Sequence, residues 1–418
     1  MMLHLAFKSL RARKATALLT IAAIAFSTML FVGVETLRTA ARDSFSNTIN
    51  GTDLIVGARS GPLTLLLYSV FRIGDPTANV SAETWAKIDQ HPMVAWTVPI
   101  SLGDSHRGFR VMGTSQAYFD RYKYRGGRQL KLQDGAVFDD LFDVVLGARV
   151  AKQLNYNVGD KIVIGHGLGR VNFTTHEDTP FRVSGIIATT GTPVDQTLHV
   201  SMEAIEAIHL DWQNGSPKQG ASRSPDELRA LELKPTQVTA LLVGAKSKLH
   251  IFRLQRQLNT FRQEPLSAIL PGLALLQFWK LTSNVEAALF IISAFVVLTA
   301  LLGMVTSIWS TLNERRREMA ILRALGAGPM RIALLLMVEA MMLAAAGGVL
   351  GVLLAAGFGN AISTWVDATY GLSLSVGLFE PTQLKLLAAI LGAAALAGLV
   401  PAWRAYRYSV ADGMLVRS

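Results

Sequence analysis

Cysteine is absent from all 418 residues, which excludes a disulfide framework and any thiolate metal centre and leaves stability to packing. No glycine is followed by lysine, so the Gly-x-x-x-x-Gly-Lys-Ser/Thr loop that cradles nucleotide phosphates does not occur. Neither His-Glu-x-x-His nor Gly-x-Ser-x-Gly is present, which removes the commonest hydrolase signals. Gly165-His166-Gly167-Leu168-Gly169 matches a dinucleotide fingerprint only in glycine count, because Arg170 stands where the last glycine belongs. Charge is scarce too. Only 17% of residues are Asp, Glu, Lys or Arg against 50% hydrophobic, a balance that predicts membrane spans with a soluble domain embedded among them. The net charge of +10 sits largely beside apolar runs, where orientation and lipid headgroups account for it, so nucleic acid is not expected as a partner.

What is present begins with four apolar runs. Met1 to Lys14 carries Lys8, Arg11, Arg13 and Lys14 among Leu3, Leu5, Phe7 and Leu10, a basic amphipathic lead-in suited to a cytoplasmic leaflet. The run from Ala15 to Leu37 follows, longer than the apolar region of a cleaved signal peptide and therefore read as an uncleaved anchor. Val285 to Leu312 carries only Glu286, and Ile332 to Trp365 only Glu339, so each is able to cross a hydrocarbon core that needs roughly 20 apolar residues. A fourth run starts at Leu384. Arg315, Arg316, Arg317, Arg323 and Arg331 mark the connector between the second and third runs as cytoplasmic, and residues 364–383 contain no Lys or Arg, as expected of an outer loop. The expected order is a lead-in and first span at 1–37, an extracytoplasmic domain at 38–281, spans at 282–312, 332–365 and 384–404, a cytoplasmic connector at 313–331, an outer loop at 366–383 and a cytoplasmic tail at 405–418. In the third span Gly347, Gly351, Ala355 and Gly359 recur every four residues and predict close helix packing.

The insert alternates strand-like and helical runs. Strands are expected at 54–56, 109–112, 161–164, 181–187 and 238–243, and helices at 82–90, 146–155, 202–209 and 249–262. The mixture predicts a large α+β domain, two lobes in all, attached to an integral membrane protein of four transmembrane helices. Pro62 to Ile73 is apolar but too short to span, and is read as a core segment, with an apolar groove as the alternative.

The connector is the one short charged segment between two long apolar runs. Met319, Leu322 and Leu325 fall on one helical face, Arg316, Arg317 and Arg323 lean elsewhere, and Gly326 supplies a stop. Read from the residues alone, this is either a docking helix or a positive-inside loop lying on headgroups. The string Glu314-Arg315-Arg316-Arg317-Glu318-Met319-Ala320-Ile321-Leu322-Arg323-Ala324-Leu325-Gly326-Ala327 resembles the signature of MacB/FtsX-type ABC transporter permeases, and Leu146-Gly147-Ala148-Arg149-Val150-Ala151 continuing to Val158-Gly159-Asp160-Lys161-Ile162 resembles the MacB-like periplasmic core domain. The tail departs from that pattern, since Tyr408-Ser409-Val410-Ala411-Asp412 lacks the family's proline. The resemblance implies a bacterial inner-membrane permease whose segment 314–326 couples to cytoplasmic ABC ATPase subunits carrying ATP and Mg. It further implies a second permease copy, identical or related, and a periplasmic or outer-membrane partner. Its work would be mechanotransmission for lipoprotein release, efflux or periplasmic substrate handling.

Seven of the eight histidines lie in the insert. His176, Glu177 and Asp178 are consecutive, and His166 or His199 is able to complete a zinc set without cysteine if a hairpin brings it near; solvated polar residues are the plainer account. A metal-linked uptake or binding module therefore stands as the alternative function, with a transmembrane signalling scaffold as a third.

Overall fold

The computed structural model describes residues 2–46, 48–166, 179–210, 212–213, 216–217, 223–314, 316–370, 374 and 376–407. The chain divides into two compact units, one made of Met1–Ala40, Ser283–Val366 and Ser373–Ser418, the other of Ala41–Thr282 with Asp367–Leu372.

The first unit is helical. Helix α1 is Met2–Ala12, α2 Lys14–Ser46, α3 Pro271–Glu314, α4 Arg316–Ala324, α5 Pro329–Tyr370 and α6 Pro381–Arg407. Proline opens α3, α5 and α6, where its missing N–H costs nothing and its fixed φ favours the first turn. Four of these helices, α2, α3, α5 and α6, are long and apolar enough to cross a membrane. Helix α2 continues past Leu37 to Ser46, and α3 starts at Pro271, ahead of the apolar stretch it carries. Hydropathy marks where lipid is tolerated, whereas the helix itself continues through polar residues such as Thr39 and Arg42 that favour it well enough. Ile24, Met304, Ile308, Leu312, Ile332, Leu336, Ala340 and Ala394 form the bundle core. Leu19, Phe26, Ile292, Phe295, Phe358 and Leu396 point outward, the pattern of helices whose outer solvent is lipid.

The second unit is built on one 11-stranded sheet. Its main strands are β1 Leu54–Ala58, β2 Val94–His106, β3 Phe109–Thr114, β4 Leu132–Gly135, β5 Asp143–Leu146, β6 Phe181–Ile187, β7 Thr197–Ser201, β8 Ala240–Ala245 and β9 Leu266–Ile269. They lie in the order β9-β1-β8-β2-β3-β7-β5-β6-β4, and two short strands pair alongside, Lys161–Ile162 with β6 and Gly165–His166 with β2. Pairs β3–β7 and β5–β6 are parallel and the rest antiparallel. Parallel neighbours need a crossover, and helix Ala148–Leu154 lies on the one joining β5 to β6.

Both faces of the sheet are covered, because successive residues of a strand point to opposite sides. Leu54, Val56, Leu241 and Val243 enter one core with Leu254 and Leu258; Val144, Leu146, Leu198 and Val200 enter a second with Phe181 and Ile208. Between them, Ile55, Leu242, Met112 and Val145 send their side chains to a third, shared core. Three cores are thus laid along a single sheet. Segment 62–73 belongs to the shared core: an α-helical turn Pro62–Leu66 passes into a π-helical turn Leu67–Phe71, and Leu65, Leu66, Tyr68, Val70 and Phe71 are buried.

Candidate coupling site

The connector contains the nine-residue helix α4. Its end is a Schellman cap: the Gly326 N–H donates to the Arg323 carbonyl at 2.9 Å and the Ala327 N–H to the Leu322 carbonyl at 2.9 Å. Gly326 has φ +89, a left-handed conformation that a Cβ would penalise. Pro329 then opens α5, so α4 is held as a short rung between two long helices.

The side chains of α4 divide differently from the sequence expectation. Met319 and Ala320 are buried, Met319 in the bundle core with Leu312 and Ile332, and Leu322 is half-buried. Outward point Ile321, 52% exposed, and Leu325, 80% exposed, with Met330 exposed just beyond. Ile321 and Leu325 are four residues apart and share a face. Met319 therefore leaves the outward set and Ile321 joins it. Helical spacing gave the stripes, but which stripe meets the bundle depends on how α4 is anchored at both ends. Glu318 is exposed and Arg323 half-buried; Glu314, Arg316 and Arg317 lie in helical backbone, and Arg315 lies outside the described residues.

Away from α4, the long helices grip one another. On α2, Arg38 donates to Glu35 of its own helix through Nε at 3.0 Å and Nη2 at 2.7 Å, and through Nη1 to Glu286 of α3 at 3.1 Å. Phe31 and Phe290 meet edge to face at 5.6 Å. Against α5, the small residues receive α2: a Cβ on Gly347 would lie 2.7 Å from Ile24, and one on Gly351 2.5 Å from Thr28 and 2.6 Å from the Ala25 carbonyl. Ala355 is buried in one cluster with Val32, so Ile24, Thr28 and Val32 recur every four residues as Gly347, Gly351 and Ala355 do. Gly359 faces Val376 instead. Toward the other end, Arg13 lies 3.8 Å from the buried carboxylate of Glu339.

Of the candidate zinc ligands, only His166 and His199 lie among the described residues. His199 sits on β7 with 0% exposure, its Nδ1 3.3 Å from the Val145 carbonyl and its ring 5.5 Å from Tyr118 and 5.9 Å from Phe119. Burial, helped by the nearby charge of Arg72, pushes its pKa down to about 3; among the described residues it is a core histidine packed on Tyr118 and Phe119. His166 lies on the short strand paired with Ser105 and Asp104, and His176, Glu177 and Asp178 lie outside the described residues. Among the described residues no three His, Asp or Glu side chains gather as a metal site. The strand Thr197–Ser201 is buried on both faces, so His199 is enclosed along with Leu198 and Val200 on either side of it.

Comparison with known proteins covers most of the chain. The family model of the MacB-like periplasmic core domain matches residues 17–259, and that of the FtsX-like permease C-terminal matches residues 290–410. A pyoverdine export ATP-binding/permease protein, PvdT of Pseudomonas syringae pv. syringae, is 23% identical over 298 residues, 69% of this chain and 42% of that protein. Its counterpart from pv. tomato is 22% identical over 315 residues, 73% and 44% respectively. The chain thus spans less than half the length of the curated relatives it matches. Among solved structures, the periplasmic region of MacB from Actinobacillus actinomycetemcomitans has 12% identity and a TM-score of 0.33, covering 55% of this chain and 94% of that one. The extracellular domain of the noncanonic ABC-type transporter YknZ from Gram-positive bacteria has 14% identity and a TM-score of 0.29, covering 52% and 99%.

Proposed function

Because the chain belongs to the ABC transporter permeases of the MacB/FtsX type, we propose that it transmits force from a separate cytoplasmic ATPase, charged with ATP and Mg, to its sheet domain on the outer side of a bacterial inner membrane. In this reading closure of the ATPase dimer pushes on α4. Helices α2 and α3 carry the displacement, and the sheet domains of two permease copies, identical or related, change their packing. Substrate has no need to cross the bilayer, so lipoprotein release, efflux through an outer-membrane partner and handling of a periplasmic compound all fit. The relatives named for pyoverdine export favour efflux.

The observation that carries this proposal is the pair Ile321 and Leu325, exposed on a short capped helix that joins two helices long enough to span. A docking helix needs a rigid cap and an outward apolar pair, and α4 has both. The stiffness also suits the task. At about 1.5 Å per residue, the 44 residues of α3 make a rod of about 66 Å, roughly twice the hydrocarbon thickness, and Arg38 ties it to α2 through Glu286.

Each outward side chain buried in a partner cleft contributes about 1.5–3 kcal/mol, and about 1.4 kcal/mol is tenfold in affinity. Ile321→Asp with Leu325→Asp is therefore expected to leave the permease inserted and to lower copurification of its ATPase at least tenfold, with transport-linked activity falling in step. Lys131→Glu, at an exposed site in the sheet domain, leaves copurification unchanged. Full retention of the ATPase by the double variant would return the segment to a positive-inside loop.

A further inference from the structure

Two membrane helices join the sheet at the same end. The chain arrives from α2 at Asp53 and enters β1 at Leu54; it leaves β9 at Ile269 and begins α3 at Pro271. Ile55 and Ile269 are register partners, which puts arrival and departure side by side. Strand β8 finishes there too, since Val243 pairs with Leu54 and the Ala245 N–H donates to the Asp53 carboxylate at 2.8 Å. Residues 246–252 therefore start from the end of the sheet to which the membrane helices are attached.

The helix Ile251–Asn259 turns Leu254 and Leu258 into the core beneath it, and Gln255 donates to the Ala268 carbonyl of β9 at 3.0 Å. With that face committed, Leu249 is left 90% exposed and Phe252 66% exposed. Lys246, Lys248, Arg253 and Arg256 are exposed around them, and residues 246–263 contain no Asp or Glu. Two carboxylates at this end are already engaged, Asp53 by the Ala245 N–H and Asp89 by the Thr97 hydroxyl. Large apolar side chains ringed by cations complement an anionic phospholipid surface, because the rings and methyl groups enter the headgroup layer while the cations meet its phosphates.

The distance agrees. Phe278, Trp279 and Lys280 on α3, with the Arg42 guanidinium of α2 5.7 Å from the centre of the Trp279 ring, make the aromatic and cationic belt that marks the headgroup level. From Trp279 back to Pro271 the helix rises about 12 Å. A headgroup layer about 5–7 Å deep, met by extended lysine and phenylalanine side chains, closes that interval.

We propose that residues 246–256 are a lipid-contact site, in which Leu249 and Phe252 enter the headgroup layer of the leaflet facing the sheet domain and the four cations bind anionic phospholipid there. The contact gives the sheet domain a hold on the membrane besides α2 and α3, and it does not depend on coupling through α4.

The absence of cysteine makes the test direct. Phe252→Cys in the full-length protein carries one environment-sensitive fluorophore, and Arg262→Cys, in the loop that enters β9 from its opposite end, is the reference. Each is placed in nanodiscs of phosphatidylglycerol and phosphatidylcholine, or of phosphatidylcholine alone, with a headgroup-level spin-labelled lipid as quencher. At residue 252 the emission is expected to be blue-shifted in the anionic discs and quenched at least about twofold more than in the neutral ones. Residue 262 stays unquenched in both, and Lys246→Gln with Lys248→Gln removes the difference between the lipids at residue 252. Water-like emission at residue 252 in both lipids, or a lipid preference unchanged by the two lysine substitutions, overturns the proposal. So does an intermolecular disulfide between copies of unlabelled Phe252→Cys in the anionic discs, which would put a second copy of the chain on this face.

Discussion

His199 shows how far a single side chain's surroundings set its chemistry. Its pKa is about 3 because burial, and then the charge of Arg72, disfavour the imidazolium. A histidine whose folded pKa is depressed supports the fold fully above its unfolded value of about 6.5, and that support is lost as pH falls below it, by about 1.4 kcal/mol per unit. His209 acts in the opposite sense. Burial lowers its pKa, but the hydrogen bond and charge of Asp104 outweigh burial and raise it, so its contribution is fully present below about pH 6.5 and fades as pH rises through the folded value. Between pH 7 and 5 the thermal stability of the full-length protein is expected to fall, with His199 dominant. His199→Phe, which keeps the ring against Tyr118, is expected to flatten that acid limb. An unchanged acid limb in the variant would show that His199 is not the titrating group.

Between elements, the contact of α5 with α2 rests on missing atoms. At Gly351 a Cβ would meet the Ala25 carbonyl at 2.6 Å and the Thr28 Cβ at 2.5 Å, and backbone cannot step aside cheaply. Gly357, on the same helix, has nothing within 4 Å of its Cβ position. Gly351→Ala is therefore expected to lower stability by about 1–3 kcal/mol, as overpacking does, while Gly357→Ala stabilises by about 1 kcal/mol through helix propensity. Thermal unfolding of the two variants side by side checks this. Equal effects would mean that α2 and α5 do not pack through this face. The same logic explains why the glycine spacing was readable in the sequence while its partners were not: a four-residue repeat of small side chains declares a close approach, but only the fold says that Ile24 and Thr28 fill the notches.

For the whole molecule, we propose an orientation from the basic residues flanking the apolar runs. Lys8, Arg11, Arg13 and Lys14 precede the first, Arg323 and Arg331 stand between the second and third, and Arg404 and Arg407 follow the fourth. Alkaline phosphatase fused after Leu231 is expected to be active, and fused after Gly326 inactive, with a cytoplasmic reporter giving the reverse. An inactive phosphatase at Leu231 would remove the topology at its first crossing.

Sequence by itself determined the membrane content, the connector and its cap, and the position of strand Phe181–Ile187 and helix Met202–His209. Each is a local property, written in runs of apolar residues, in period-2 or period-3.6 alternation, or in one glycine whose backbone must be left-handed. The tertiary structure decided what depends on distant pairing. Strand order is one case, since β1 lies between β8 and β9, its neighbours from the far end of the insert. The outward face of α4 is another, because Met319 and Ile321 are equally apolar and only their contacts with α3 and α5 separate them. His199 is the third: its residue type suggested a ligand, and the strands and rings packed around it made it part of the core. Local periodicity names the candidates, but burial is a property of the neighbours, and those come from elsewhere in the chain.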